Sequence, residues 1–227
     1  MSDSKWSASE IGTVGALSAR WPRTETTYWQ SLHESVEGLR SMLSMLNDRF
    51  ESVDKDPDLS PTGRNKRRTE MARDALAELD QYAPLTKAGN AVARRVQNLK
   101  EKLTTLPGPA STADVHIAAE IRAAIRQHKE PEAFALSLRS DPKAMAAVLA
   151  APAFLSGLND DGQNRLRDAA LRSLHPVELN EIEELTKAEA HAREAVKLAQ
   201  HRIAKRAGML QGADGQWHAD PVKPSAT

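Results

Sequence analysis

Cysteine is absent from this 227-residue sequence, and the lack of thiols excludes two ways of holding a fold together. Neither disulfides nor thiolate metal sites can form, so the fold depends on packing and tolerates a reducing compartment. Aromatic residues are scarce, at 4% of the sequence, and many of the apolar residues are alanine. Few large apolar side chains are left to fill a deep globular core, whereas the packing of helices against each other needs only Ala and Leu.

Long apolar runs and an excess of one charge are missing as well. No segment approaches the ~18 consecutive apolar residues of a spanning helix, and the N-terminal residues contain no apolar run typical of a signal peptide. Lys+Arg and Asp+Glu number 31 each, so the whole-chain charge does not favour nucleic acid or an anionic membrane as a partner. We therefore expect a cytoplasmic protein without a membrane partner.

Prolines divide a chain that shows no strand-like alternation. We predict an all-α fold: a long antiparallel coiled-coil-like helical hairpin, plus a smaller helical cluster that ends in a long helix. Pro57 ends the first arm of the hairpin, and Pro84 should kink or divide the second arm. The predicted parts are a flexible N-terminal arm (1–23), the hairpin (24–105), a Pro/Gly linker (106–112), a helical domain (113–207) and a flexible tail (208–227).

The clearest pattern is an apolar stripe in the first arm, WQSLHESVEGLRSMLSMLNDRFESV. Its large apolar residues recur at alternating steps of three and four, which is a heptad pattern. Methionines beside the stripe widen it, and a wide stripe indicates more than one helical neighbour. The predicted interface residues are Trp29, Leu32, Val36, Leu39, Met42, Leu43, Met45, Leu46, Phe50 and Val53.

The nearest partner for this stripe is the second arm of the same chain. Acids outnumber bases in residues 24–56 and bases outnumber acids in residues 60–103, so the two arms attract each other. Three alternatives remain open at this stage: a hairpin that also forms oligomers, a hairpin that is complete alone, and a purely intermolecular coil. The expected partner is a second copy or another helical protein.

The densest basic run, GRNKRR at residues 63–68, lies in the first turns of a predicted helix. Such a position can contact phosphates through the helix dipole and the side chains together. No aromatic residue is interleaved with the run, so a solvated or acid-pairing face is favoured over nucleic-acid binding. A nucleic-acid-associated or regulatory role stays as the alternative function, through Arg64, Lys66, Arg67 and Arg68.

Motifs for metal, cofactor and catalytic sites were sought without success. Asp54, Asp56 and Asp58 have the spacing of an EF-hand start, but Leu59 and Asn65 stand where that loop needs Gly and Glu. No metal, cofactor or catalytic residue is predicted, and we do not expect an enzyme. The histidines are scattered outside any metal-binding motif, at His33, His116, His128, His175, His191, His201 and His218.

Residues 56–80, DPDLSPTGRNKRRTEMARDALAELD, contain the pattern L-S-x-x-G-R. This segment resembles the connector-plus-helix segments of helical accessory proteins in tailed-phage and prophage structural gene sets. The resemblance covers about a quarter of the chain and extends loosely to residues 176–207. It implies a non-enzymatic virion or scaffolding component, found in the host cytoplasm and in the virion, and it assigns a role to no individual residue.

Overall fold

A computed structural model describes residues 18, 21–22, 26–104 and 111–219 of the chain. Most of the predicted N-terminal arm, most of the predicted linker and the last part of the predicted tail lie outside these residues. The all-α class is confirmed. In chain order the α-helices are α1 (Thr27–Lys55), α2 (Pro61–Asp80), α3 (Ala83–Thr104), α4 (Thr112–Gln127), α5 (Pro131–Ser137), α6 (Pro142–Leu149), α7 (Asp160–Leu174) and α8 (Pro176–Arg206).

The chain divides into two compact units that differ from the predicted domains. The first unit combines Met1–Arg95 with Leu185–Thr227, and the second is Val96–Glu184. Helices α3 and α8 therefore contribute residues to both units. Residues 185–207 were predicted to belong to the second domain, whereas the apolar side chains from Ala195 onward pack with α1 and α2 in the first unit.

The core of the first unit lies among α1, α2 and the second half of α8. Helix α1 supplies leucines and a phenylalanine, whereas α8 supplies mainly alanines, which allow close approach of the helix backbones. The α1 stripe therefore has two helical neighbours in this core. The buried cluster comprises Leu39, Leu43, Leu46, Phe50, Ala72, Ala75, Leu76, Leu79, Tyr82, Ala195, Val196, Ala199, Ile203, Ala204 and Met209.

Two proline-containing helix starts shape the chain around α2. Ser60 accepts a hydrogen bond from the backbone N–H of Gly63 at 3.1 Å, and Pro61 occupies the first turn of α2. The second arm is divided close to Pro84, as predicted: α2 ends at Asp80 and α3 begins at Ala83. Tyr82, between them, is buried and donates a hydrogen bond from its hydroxyl to the carbonyl of Ser35 at 2.8 Å.

Three of the four described α-helices that lie wholly in the second unit start at a side-chain cap. The side chains of Ser111, Asp141 and Asn159 accept backbone hydrogen bonds at the starts of α4, α6 and α7. A 3₁₀ helix, Ala153–Ser156, lies between α6 and α7 and ends at Gly157. The core of this unit comprises Ile125, Ala135, Ala144, Met145, Val148, Ala153, Leu158, Leu166 and Ala170.

A β-hairpin follows α8, where the sequence predicts a loose tail. Strands β1 (Met209–Gln211) and β2 (Trp217–Ala219) are antiparallel, and Leu210 pairs with His218. Gly215 has a positive φ of 77° in the turn, which favours glycine. Met209 is buried in the core of the first unit and Trp217 packs against it, so the hairpin has two apolar anchors. A weak local strand pattern is therefore stabilised by tertiary packing.

Candidate functional site

The predicted interface stripe lies mostly inside the protein. Seven of its ten residues are buried within the chain: Trp29, Leu32, Val36, Leu39, Leu43, Leu46 and Phe50. Val53 and Met42 are half-buried, and Met42 packs against the core. Met45 is different, with 58% of its surface exposed. The stripe therefore serves the core of the first unit, and its one well-exposed member is Met45.

A groove between α1 and α2 lies near Met45. Helix α1 contributes Arg49, Ser52 and Val53, and α2 contributes Arg67, Glu70, Met71 and Asp74, around a volume of about 380 Å³. Met45 is one turn before Arg49, on the same face of α1. We call Met45 together with these seven residues the α1–α2 face.

The α1–α2 face carries both charges around apolar groups. Arg49 and Arg67 supply two positive charges, Glu70 and Asp74 supply two negative charges, and the Arg67 guanidinium lies 3.5 Å from the Glu70 carboxylate. Val53 and Met71 are half-buried between them. Of this face, only Met45, Val53 and Arg67 were among the residues predicted from the sequence. Glu70 and Asp74 enter the face only when α2 packs beside α1.

The basic run is largely engaged in contacts within its own chain. Arg64 donates from its guanidinium to the backbone carbonyl of Asp56 at 2.6 and 3.2 Å. Arg68 forms an ion pair with Asp54 at 3.0 Å and also contacts the side-chain oxygen of Asn65. Lys66 and Arg67 are exposed. These contacts match the acid-pairing face favoured from sequence, and nucleic-acid binding by this run stays an untested alternative.

Asp54 joins three helices through two ion pairs. One carboxylate oxygen accepts from Arg68 of α2 and the other from Arg206 of α8, each at 3.0 Å. The Arg206 side chain is only 7% exposed. Sequence reasoning missed this cluster because Arg206 is 152 residues away from Asp54, and no local pattern links them. With both arginines on its carboxylate, Asp54 fixes the orientation of the three helix ends.

The carboxylates of the acidic turn make contacts within the chain. Asp56 accepts a hydrogen bond from the backbone N–H of Asp58 at 2.9 Å, which is a local turn contact. Among the described residues there is no group of three or more His, Cys, Asp or Glu side chains that could hold a metal ion. The EF-hand spacing at residues 54–58 therefore reflects an arginine-paired helix end followed by a turn.

A carboxylate of the second unit is perturbed by a surface contact. Arg165 donates two hydrogen bonds to the Glu132 carboxylate, at 2.7 and 2.9 Å. This bidentate contact with the guanidinium lowers the pKa of Glu132 below its usual value. Both side chains are well exposed and the contact joins α5 to α7, which is a structural arrangement.

Comparison with protein-family models, with curated proteins and with solved structures gave no significant match. None of the described helices combines the length and the apolar character needed to cross a lipid bilayer.

Proposed function

We propose that this protein is a non-enzymatic assembly protein that associates with a second copy of itself through the α1–α2 face. The observation that carries this proposal is the exposed Met45, which lies beside a groove lined by two basic and two acidic side chains. The bases of one such surface can pair with the acids of an identical surface. A second copy is favoured over an unrelated partner for the reasons that follow.

A two-fold symmetric contact places the same surface of both copies against each other. In that arrangement Arg49 and Arg67 of one copy can approach Glu70 and Asp74 of the other, so each charge meets its opposite. The contact would also bury Met45 against the second copy, as apolar groups are buried in protein interfaces.

The charge of the whole chain supports self-association as well. Formal net charge is zero at neutral pH, so two copies have little long-range repulsion to overcome. The apolar stripe of α1 is already buried in the core of the first unit, so a contact through the α1–α2 face requires no rearrangement of that core. The resemblance of residues 56–80 to helical accessory proteins of tailed phages is the reason to place such an assembly in a virion or a prophage particle.

The first experiment measures the mass of the full-length chain by light scattering after size-exclusion chromatography. The parent should be a dimer at tens of micromolar, and Met45→Lys should be a monomer with an unchanged circular dichroism spectrum. Val177→Lys is the matched control, since Val177 is an exposed apolar residue outside the face, at 75% exposure. That variant should stay dimeric.

The second experiment reverses the charges of the face. A variant with Arg49→Glu and Arg67→Glu presents only acids, and a variant with Glu70→Lys and Asp74→Lys presents only bases. Each should be monomeric alone, and an equimolar mixture should recover the dimer mass. A parent chain that is monomeric at these concentrations, or a mixture that stays monomeric, would contradict the proposal.

A further inference from the structure

A second groove lies between α1 and α3, away from the α1–α2 face. Its volume is about 560 Å³, within the range of sites that bind small molecules. Polar and cationic side chains line much of it: Thr27 and Ser31 from α1, and Thr86, Lys87, Asn90 and Arg94 from α3. No Asp or Glu is among the described residues that line this α1–α3 groove.

The two helices run antiparallel along the groove. Tyr82, just before α3, bonds to Ser35 at 2.8 Å, and the Arg95 guanidinium lies 5.6 Å from the centre of the Tyr28 ring. Advancing along α3 therefore means moving back toward the start of α1. Thr27 accordingly belongs to the same end of the groove as residue 94 of α3, and the start of α3 belongs to the other end.

Each end of the α1–α3 groove therefore combines a cation with the first residue of a helix. Arg94 shares one end with Thr27, the first residue of α1, and Lys87 shares the other end with Ala83, the first residue of α3. The positive end of the α1 dipole adds to the charge of Arg94. The start of α3 contributes less to the other end, because Pro84 has no N–H and the N–H groups of Leu85 and Thr86 already donate to the Tyr82 carbonyl. Lys87 and Arg94 are seven residues apart, which corresponds to about 10 Å along the helix axis.

A hydroxyl without a hydrogen-bond partner in the described chain lies between the two ends. Ser31 is only 5% exposed and lines the groove. Within the described part of the chain, no residue forms a hydrogen bond with its hydroxyl. The hydroxyl oxygen is accessible from the groove, so it is available to a bound molecule. Asn90 of α3 also lines the groove, between the two cations in sequence, and offers an amide donor.

One carboxylate lies close to these cations. Glu34 approaches the Lys87 ammonium at 3.9 Å, but both side chains are more than half exposed. An exposed pair at this distance is weak, so Lys87 can exchange Glu34 for a ligand anion at little cost.

We propose that the α1–α3 groove binds a small organic molecule that carries an anionic group at each end, such as a bisphosphate. Arg94 and the start of α1 hold one anionic group, and Lys87 and the start of α3 hold the other. The Ser31 hydroxyl and the Asn90 amide donate to the polar middle of the molecule.

The test is calorimetric titration of the full-length chain at constant ionic strength with hexane-1,6-diyl bisphosphate. We expect saturable binding of one molecule per chain, and affinity about tenfold lower for inorganic phosphate, which can occupy only one end. Lys87→Gln with Arg94→Gln should weaken bisphosphate binding at least about tenfold, since charge-assisted hydrogen bonds are lost at both ends. Ser31→Ala should weaken it by a smaller factor.

The chain offers a closely matched control for the double variant. Lys66 and Arg73 of α2 are also a lysine and an arginine seven residues apart, and both are exposed. Lys66→Gln with Arg73→Gln removes the same charge at the same helical spacing outside the groove, and should leave the affinity unchanged. Equal weakening by the two double variants, titration without saturation, or equal affinity for inorganic phosphate would each overturn the proposal.

Discussion

Gly38 stands in the middle of α1, where a glycine costs helix stability, and Tyr82 explains its presence. A Cβ atom at position 38 would lie 2.8 Å from the Tyr82 hydroxyl oxygen, closer than real Cβ contacts. Tyr82 is buried and its hydroxyl is bonded to the Ser35 carbonyl at 2.8 Å, so the ring has little room to move. We predict that Gly38→Ala destabilises the first unit although alanine is the better helix former.

The expected magnitude follows from three contributions. Alanine in place of glycine inside a helix stabilises by about 1 kcal/mol. Forcing an extra carbon into a packed contact costs about 1–3 kcal/mol, and displacing the Tyr82 hydroxyl gives up a hydrogen bond of about 1 kcal/mol. The net loss in free energy of unfolding is therefore about 1–3 kcal/mol.

The same substitution should have the opposite sign once the hydroxyl is removed. Among the described residues, the Tyr82 oxygen is the only heavy atom outside the local helix backbone within 4 Å of a Cβ at position 38. In a Tyr82→Phe background, Gly38→Ala should therefore stabilise by about 1 kcal/mol through helix propensity alone. The double-mutant cycle gives a coupling of about 2 kcal/mol or more.

Urea unfolding followed by tryptophan fluorescence suits this measurement. All four tryptophans of the sequence fall within the ranges of the first unit, so fluorescence reports on that unit and not on the second. Equal destabilisation by Gly38→Ala in both backgrounds would refute the contact as the cause. Stabilisation of the parent by Gly38→Ala would show that Tyr82 moves aside without cost.

Two further predictions concern buried polar groups of the first unit. Burial raises the pKa of Tyr82 from 10.0 to about 12, and repulsion from nearby Glu78 contributes to the same shift. In a Tyr28→Phe variant Tyr82 is the one remaining tyrosine. The ultraviolet titration of its phenol should have a midpoint near pH 12 in the folded chain and near pH 10 in denaturant. Because the pKa of Tyr82 is higher in the folded chain than in the unfolded chain, the stability contributed by the neutral phenol is complete below pH 10 and is lost as pH rises toward 12. A folded midpoint near pH 10 would contradict the burial of the phenol. Asp54→Asn leaves two arginines without their carboxylate, and should lower the free energy of unfolding by about 2–3 kcal/mol in the same urea assay. Glu37→Gln, which breaks an exposed ion pair with Arg40, should cost less than about 1 kcal/mol; equal losses for these two variants would contradict the structural role of Asp54.

Much of the helical architecture could be predicted because its signals are local. Prolines at helix starts and Ser or Asn caps act over three or four residues, so the starts of α2, α4 and α7 have local signals in the sequence. Pro84 also predicted a division of the second arm. Gly89 lies inside α3 without interrupting it. A Cβ there would lie 3.0 Å from the Glu189 side chain of α8, so Gly89 permits close packing between the helices.

The packing of α8 against the α1 stripe could not be predicted, because helix packing is decided by the whole chain. An alanine-rich helix such as α8 fits several neighbours equally well by pattern. Helix α8 was assigned to the second domain because it follows that domain in the sequence. Its packing on the first unit depends on contacts between residues that are more than 100 positions apart, such as the hydrogen bond from Gln200 to Asp80 at 2.8 Å. The β-hairpin at 209–219 was missed for a related reason, since Met209 and Trp217 hold it through contacts with the core.

The burial of the α1 stripe also bears on the three alternatives for self-association. Leu39, Leu43 and Phe50 are each at most 1% exposed within a single chain. Burial of side chains of this size stabilises by about 1.5–3 kcal/mol each, so exposing these three costs about 5 kcal/mol or more. A purely intermolecular coil would have to recover that energy and also cover the apolar faces of α2 and α8 that now pack on α1. A contact through the α1–α2 face requires neither, because it uses side chains that the folded chain leaves accessible. The burial of the stripe therefore argues against a purely intermolecular coil. The Met45 and charge-reversal variants distinguish the two remaining alternatives, which are the proposed assembly through the α1–α2 face and a self-sufficient monomer.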